Sequence, residues 1–240
     1  MKTFPPTLVC ETSTVADGNM SFLYGPKQEV IANRTHFLQM HGVAYQEHIA
    51  MRCDHGDIIT IVDSTHSALG ATLQEDQVLS EVLVTKKKHL ALMLFTADCQ
   101  PVSFYDPVTQ TIALAHISRK TLVNKLPQKT VGFLRRELGV EPSNLIIHIG
   151  PHIKKDSYAF PLPLEETPQE LQTFTQEKEG YAHVNLKGAT IRQLTTAGIV
   201  KDNIAVSQID TGTSDEHYSH FMMKESGTSQ ARMATILMMR

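Results

Sequence analysis

Residues 90–118, LALMLFTADCQPVSFYDPVTQTIALAHIS, decide the reading of the chain. Residues 90–95 are an uninterrupted apolar run of strand length, and Thr96-Ala97-Asp98-Cys99-Gln100-Pro101 breaks it with small, polar and proline residues. Residues 102–105 resume an extended pattern, Asp106-Pro107 opens a turn, and residues 111–116 return as a third strand. The pattern predicts strand, bend, strand, turn, strand. Cys99 falls at the first bend and His116 at the end of the third strand, so a thiol and an imidazole stand at strand ends seventeen residues apart.

Upstream, residues 80–85 alternate as a strand, and Lys86-Lys87-Lys88 reads as a solvated turn leading into the central run. Residues 58–62 are β-branched and strand-like, with His55 directly before them. Residues 63–79 read as a surface loop with at most a short helix, and residues 44–51 as a polar connection. One apolar face recurs from Gln28 to Gly42, which predicts a helix carrying Asn33-Arg34, while residues 1–28 are rich in turn formers and predict short strands joined by loops. Downstream, residues 119–138 have a helical period interrupted by Pro127 and stopped by Gly139, and residues 145–149 form a further buried strand. Residues 168–180 and 187–197 read as helices, and residues 204–209 and 234–239 as strands. Strands and helices alternate with no repeat and no low-complexity linker, so residues 1–240 are assigned to one α/β domain.

A net charge of -3 gives no basic field to recruit nucleic acid or a membrane surface. Cys10, Cys53 and Cys99 form no CxxC pair, and an odd number of cysteines suits a reducing compartment. The first residues lack the apolar core of a secretory signal, and no stretch approaches the ~18 apolar residues of a membrane span. The expectation is a soluble cytoplasmic protein acting on a small molecule. Oligomeric state is not legible.

Thiolate and imidazole are preferred zinc ligands, so Cys99 and His116 with a third ligand would leave a fourth position open. The same two residues also suit a nucleophile and its base, and spacing does not separate the readings. Each has an ordinary explanation as well, a core thiol and a hydrogen-bonded strand-end imidazole. His41, His48 and His55 recur every seven residues, but Gly42 interrupts any common helix face. Gly150-Pro151 likewise separates His148 from His152. Arg34 is a candidate anion anchor, against the usual solvated arginine of an amphipathic helix.

Taken together, Asn33-Arg34, Asp54-His55-Gly56, Ala97-Asp98-Cys99-Gln100-Pro101, Ala115-His116 and Ile149-Gly150-Pro151 resemble, in that order, the motifs of the YfiH family. This family is also called the laccase-domain or multicopper polyphenol oxidoreductase-like family. The resemblance runs through nearly the whole chain. It implies a layered α/β/β/α arrangement with mixed sheets, and it implies His55, Cys99 and His116 as metal ligands. His41, in Gln39-Met40-His41-Gly42, imitates the first ligand but follows Asn33-Arg34 too closely and precedes no strand.

Members are described as purine nucleoside phosphorylases with adenosine deaminase and methylthioadenosine phosphorylase activity, after earlier descriptions as copper polyphenol oxidases. One histidine-cysteine-histidine site suits zinc Lewis-acid chemistry better than the several coppers of a four-electron oxidase. The resemblance further implies Arg34 and Lys120 on phosphate and Asp98 beside the metal as a proton acceptor or supporting group. The family's Ala-Gly-Trp-Arg-Gly after the histidine is here Ile117-Ser118-Arg119-Lys120-Thr121, and Ala231-Arg232-Met233 stands where Gly-Arg-Met is expected. A catalytically reduced binding homologue, a polyphenol oxidase and a metal-free cysteine hydrolase are the competing expectations.

Overall fold

The computed structural model describes residues 3–161 and 164–240. The chain runs through β1 (Leu8–Thr12), α1 (Lys27–Met40), β2 (His48–Arg52), β3 (Ile59–Ile61), β4 (Val78–Leu79) and β5 (Val82–Thr85). The central stretch forms β6 (Ala91–Thr96), β7 (Gln100–Asp106) and β8 (Thr111–Ile117), followed by α2 (Arg119–Val123), α3 (Leu126–Leu138), β9 (Ile146–Ile149) and β10 (Ala159–Phe160). The remainder is α4 (Gln169–Gln172), β11 (Thr175–Lys178), β12 (Tyr181–Val184), α5 (Leu186–Thr196), β13 (Ile204–Val206), α6 (His220–Ser226) and β14 (Met233–Met239).

Two mixed sheets carry the fold, a five-stranded one ordered β1-β14-β6-β2-β4 and a six-stranded one ordered β13-β9-β7-β8-β5-β3. Side-chain alternation lets each strand serve two layers. On β6, Leu92 and Leu94 point into the cluster between the sheets, where they meet Leu83 of β5, Ile112 and Leu114 of β8 and Ile146 of β9. Ala91 and Met93 point outward onto Phe37 and Leu38 of α1. Val102 and Phe104 of β7 and Val82 and Val84 of β5 face the opposite outer layer, where Val131 and Leu134 of α3 and Ala189 and Leu194 of α5 cover them. The layers are therefore helix, sheet, sheet, helix. Full burial of each such Leu or Phe contributes roughly 1.5–3 kcal/mol, so the central stretch is also the energetic centre.

β6 belongs to one sheet and β7 to the other, so the bend at 97–99 is where the chain crosses between layers. Cys99 sits on that crossing. β7 then pairs with β8 in a register that sets Pro101 opposite His116. Gly150, following β9, closes the same end: its N–H donates to Pro101 O at 2.9 Å, and a Cβ there would lie 2.8 Å from Pro101 Cγ.

Three sequence expectations are corrected. Residues 44–51 are not a polar connection, because β2 begins at His48 and Ile49 and Met51 enter the inter-sheet core. The helix expected over 168–180 is only the four residues of α4, after which β12 pairs antiparallel with both β11 and β10 in a third, three-stranded sheet. The strand expected over 204–209 stops at Val206. No helix among the described residues is long and apolar enough to cross a membrane.

Candidate active site

His55, Cys99 and His116 each bring a ligand atom within 4.8 Å of the other two. They come from three places: the loop between β2 and β3, the inter-sheet crossing, and the end of β8. The His55 and His116 rings meet edge to face, with centroids 5.2 Å apart. Of the two sequence candidates for the first position, His55 and not His41 joins this group. His41 lies at the C-terminal end of α1, packed against Phe37 and remote in the fold from this cluster.

Glu81, a fully buried carboxylate immediately before β5, organises the group. Its Oε2 accepts from His116 Nδ1 at 2.7 Å, and its Oε1 accepts the N–H groups of Asp54 at 2.8 Å and His55 at 2.6 Å. The first contact fixes the His116 tautomer and turns Nε2 toward the cluster. The other two hold His55 in a left-handed backbone conformation, φ 67°, which a non-glycine residue adopts only when its surroundings enforce it. Cys53 also lies within 4.8 Å of Glu81 and His116, but both Glu81 oxygens are already engaged there. This second group shares His116 with the first. The only sequence signal for Glu81 is a lone carboxylate in the segment 78–84, whose other residues are apolar apart from Ser80.

Burial alone would raise the Cys99 thiol, yet the two imidazoles beside it, His116 above all, bring it down to about 7. Burial pushes His116 down, but the Cys53 and Cys99 sulfurs more than offset this and raise it well above the ordinary histidine value. The sulfurs favour positive charge at this group, and a metal cation would take the place of the proton that raises His116. Two imidazoles and one thiolate form a donor set that fits zinc.

Asp98 is buried and also left-handed, φ 83°. Its Oδ1 accepts from Thr211 Oγ1 and its Oδ2 from the Phe221 N–H, each at 2.7 Å. The carboxylate therefore ties the start of α6 to the crossing that carries Cys99.

Two cavities meet at the cluster. The larger, about 680 Å³, is lined by the aromatic rings of Tyr158, Phe160 and Phe221 and by Arg119, Lys120 and Lys224. The smaller, about 400 Å³, is lined by polar groups including Tyr24, Gln77, Thr96 and Arg232. His55, Ala97, Cys99 and His220 border both. Thr96 Oγ1 is buried in the smaller cavity's wall without a hydrogen-bond partner among the described residues.

Arg34 borders neither cavity. It is fully buried, its guanidinium 4.1 and 4.2 Å from the ring centres of Phe22 and Phe95, with Nε donating to Met20 O and Nη1 to Gly70 O. Phe95 stands between it and the smaller cavity. Lys120 is exposed on α2 and borders the larger cavity but not the smaller. Ser118 caps α2 by accepting from the Thr121 N–H, so an ordinary capped turn replaces the family's glycines and presents Arg119 at the site. Arg232 carries the cation on the polar side, stacked 4.3 Å over Tyr24 and donating to its hydroxyl at 3.0 Å.

The family described as multi-copper polyphenol oxidoreductase laccase matches residues 10–240, and the chain belongs to it. A purine nucleoside phosphorylase of Streptomyces griseus is 28% identical over 201 residues, 82% of this chain and 77% of that protein. An adenosine deaminase from an unknown prokaryotic organism is 24% identical over 201 residues, 81% of this chain and 76% of that protein. The YfiH protein of Bacillus licheniformis has the same fold, with a TM-score of 0.87 over 97% of this chain and 93% of its own, at 23% identity. The chain is thus an enzyme-type member of a family whose relatives act, by name, on purine nucleosides.

Proposed function

We propose that the chain is a zinc-dependent purine nucleoside phosphorylase, with adenosine deamination as a second activity. The observation that carries the reading is the position of His55, Cys99 and His116 at the junction of an aromatic cavity and a polar one. Zinc held by these residues would supply Lewis acidity, the chemistry useful both to glycosidic cleavage and to removal of an amino group. The two ligand-type clusters among the described residues share His116, which favours a single metal over a multicopper centre.

The purine enters the larger cavity and packs on the Phe160–Phe221 pair, whose rings meet edge to face with centroids 5.7 Å apart, stacking on one ring and meeting the edge of the other. Inorganic phosphate occupies the smaller cavity, where Arg232 attracts it and the unpartnered Thr96 hydroxyl donates to it. The ribose anomeric carbon then lies at the junction, with the nucleophile on one side and the leaving base on the other. Cleavage develops positive charge on the ribose and negative charge on the purine, and an oriented phosphate stabilises the first while attacking it. His220, which borders both cavities and hydrogen-bonds Gln230 through Nδ1 at 2.6 Å, carries the proton to the base. Asp98 keeps Phe221 in place and is not the proton acceptor, since both of its oxygens already accept hydrogen bonds.

Elemental analysis beside activity tests the assignment. Wild-type protein should hold about one zinc per chain, and Cys99→Ser and His55→Ala should lose both zinc and turnover while His41→Ala keeps them. Metal-free Cys99→Ser with full phosphorolysis would overturn it.

A further inference from the structure

The larger cavity carries more positive charge than a neutral nucleoside requires. Arg119 and Lys120 enter it from α2 and Lys224 from α6. Against the three cations stand two lining carboxylates, Glu225 and Asp98, the second buried and hydrogen-bonded to Thr211 and the Phe221 N–H. None of the three cations has an ion-pair partner among the described residues. The chain as a whole is net negative, so the excess is local.

Arg119 is the fixed member of the group. It is half-buried, and its guanidinium carbon lies 5.0 Å from the Phe160 ring centre. Phe160 is itself packed on Tyr158 at 4.6 Å and on Phe221 at 5.7 Å. A guanidinium held beside an aromatic wall is already positioned and loses little freedom on binding an oxyanion. The co-substrate phosphate is assigned to the other cavity, beside Arg232. The cations of the larger cavity therefore have no partner in the reaction of a plain nucleoside.

We infer that the preferred substrate is a purine nucleoside 5′-monophosphate, whose phosphate monoester is held by Arg119, Lys120 and Lys224. The inference rests on the phosphorylase reading above. In the reaction an oxygen of inorganic phosphate bonds to C1′, the C1′–N9 bond breaks, and its electron pair leaves with the purine, which takes up a proton. The products are free base and ribose 1,5-bisphosphate, and no oxidant or reductant is needed.

The test compares adenosine with adenosine 5′-monophosphate on zinc-loaded wild-type protein with inorganic phosphate. The monophosphate should have the higher kcat/KM by about tenfold or more, chiefly through a lower KM. In Arg119→Met/Lys224→Met that ratio should fall toward one. Turnover of adenosine with a wild-type ratio at or below one overturns the inference while the phosphorylase reading stands, and so does an unchanged ratio in the folded double variant. If neither compound reacts, the phosphorylase reading fails, and equilibrium dialysis still decides the site. Tighter binding of the monophosphate by the same factor supports it, and equal or weaker binding overturns it.

Discussion

Glu81 binds His116 twice, its Oε2 accepting from Nδ1 at 2.7 Å and its backbone carbonyl accepting the His116 N–H at 2.9 Å. One buried residue thereby sets both the ring orientation and the strand position of His116, a candidate metal ligand, while its other oxygen secures the loop of a second candidate, His55. Glu81→Gln keeps the size but loses one acceptor. Zinc affinity should fall about 10–100-fold, read by competition with a chromogenic chelator. An unchanged affinity would show that Glu81 serves the strand alone.

Asp98→Asn should act through the aromatic wall. An amide can keep Thr211 but cannot accept from both Thr211 and the Phe221 N–H, so the start of α6 loosens. The Michaelis constant for the nucleoside should rise several-fold while zinc content stays at the wild-type level. Loss of zinc with an unchanged Michaelis constant would return Asp98 to the metal.

Arg34→Met should be a stability variant. It removes two cation–aromatic contacts and leaves Met20 O and Gly70 O without their donor, at a cost of about 3 kcal/mol, or roughly 6–12 °C in Tm. The expectation from the resemblance was the reverse, an anion anchor with little effect on folding. Thermal melting and phosphate kinetics on the same preparation separate the two.

The burial of Arg34 marks a limit of what the sequence shows. The central stretch was legible because residues 90–95 and 111–116 are dense in apolar residues of strand length, with turn formers at their ends. β2 was not, because His48 and Arg52 bracket it and make a buried strand look polar. The β11 strand is largely exposed and has no apolar face to announce it. In the site, the order of short motifs was enough to bring His55, Cys99 and His116 together. Glu81 was invisible because a carboxylate on a neighbouring strand has no spacing relation to His116. The burial of Arg34 is not legible because its number says nothing of Phe22 and Phe95, which enclose it. Arg119 was noted only as a departure from the family motif, and its stacking on Phe160 exists only in the folded chain.

Two histidines away from the metal cluster should govern acid stability. Burial pushes both His48 and His152 down to about 4, and both are fully inaccessible. The unfolded chain, with histidines near the ordinary value of about 6.5, takes up protons first as pH falls. Their contribution is therefore fully present above about pH 6.5 and is lost progressively toward pH 4. Chemical denaturation of the folded protein should reveal a loss of about 1–3 kcal/mol per histidine over that window. A His152→Gln variant whose pH profile is as steep as the wild type's would count against the assignment.

The account centres on phosphate-dependent cleavage at the junction of two cavities. Its most direct measurement is chromatography of the products formed by zinc-loaded protein from inosine, with and without inorganic phosphate. The account predicts hypoxanthine and ribose 1-phosphate in equal amounts, and only when phosphate is present. Release of hypoxanthine with free ribose in the absence of phosphate, or no turnover by fully zinc-loaded protein, would contradict it.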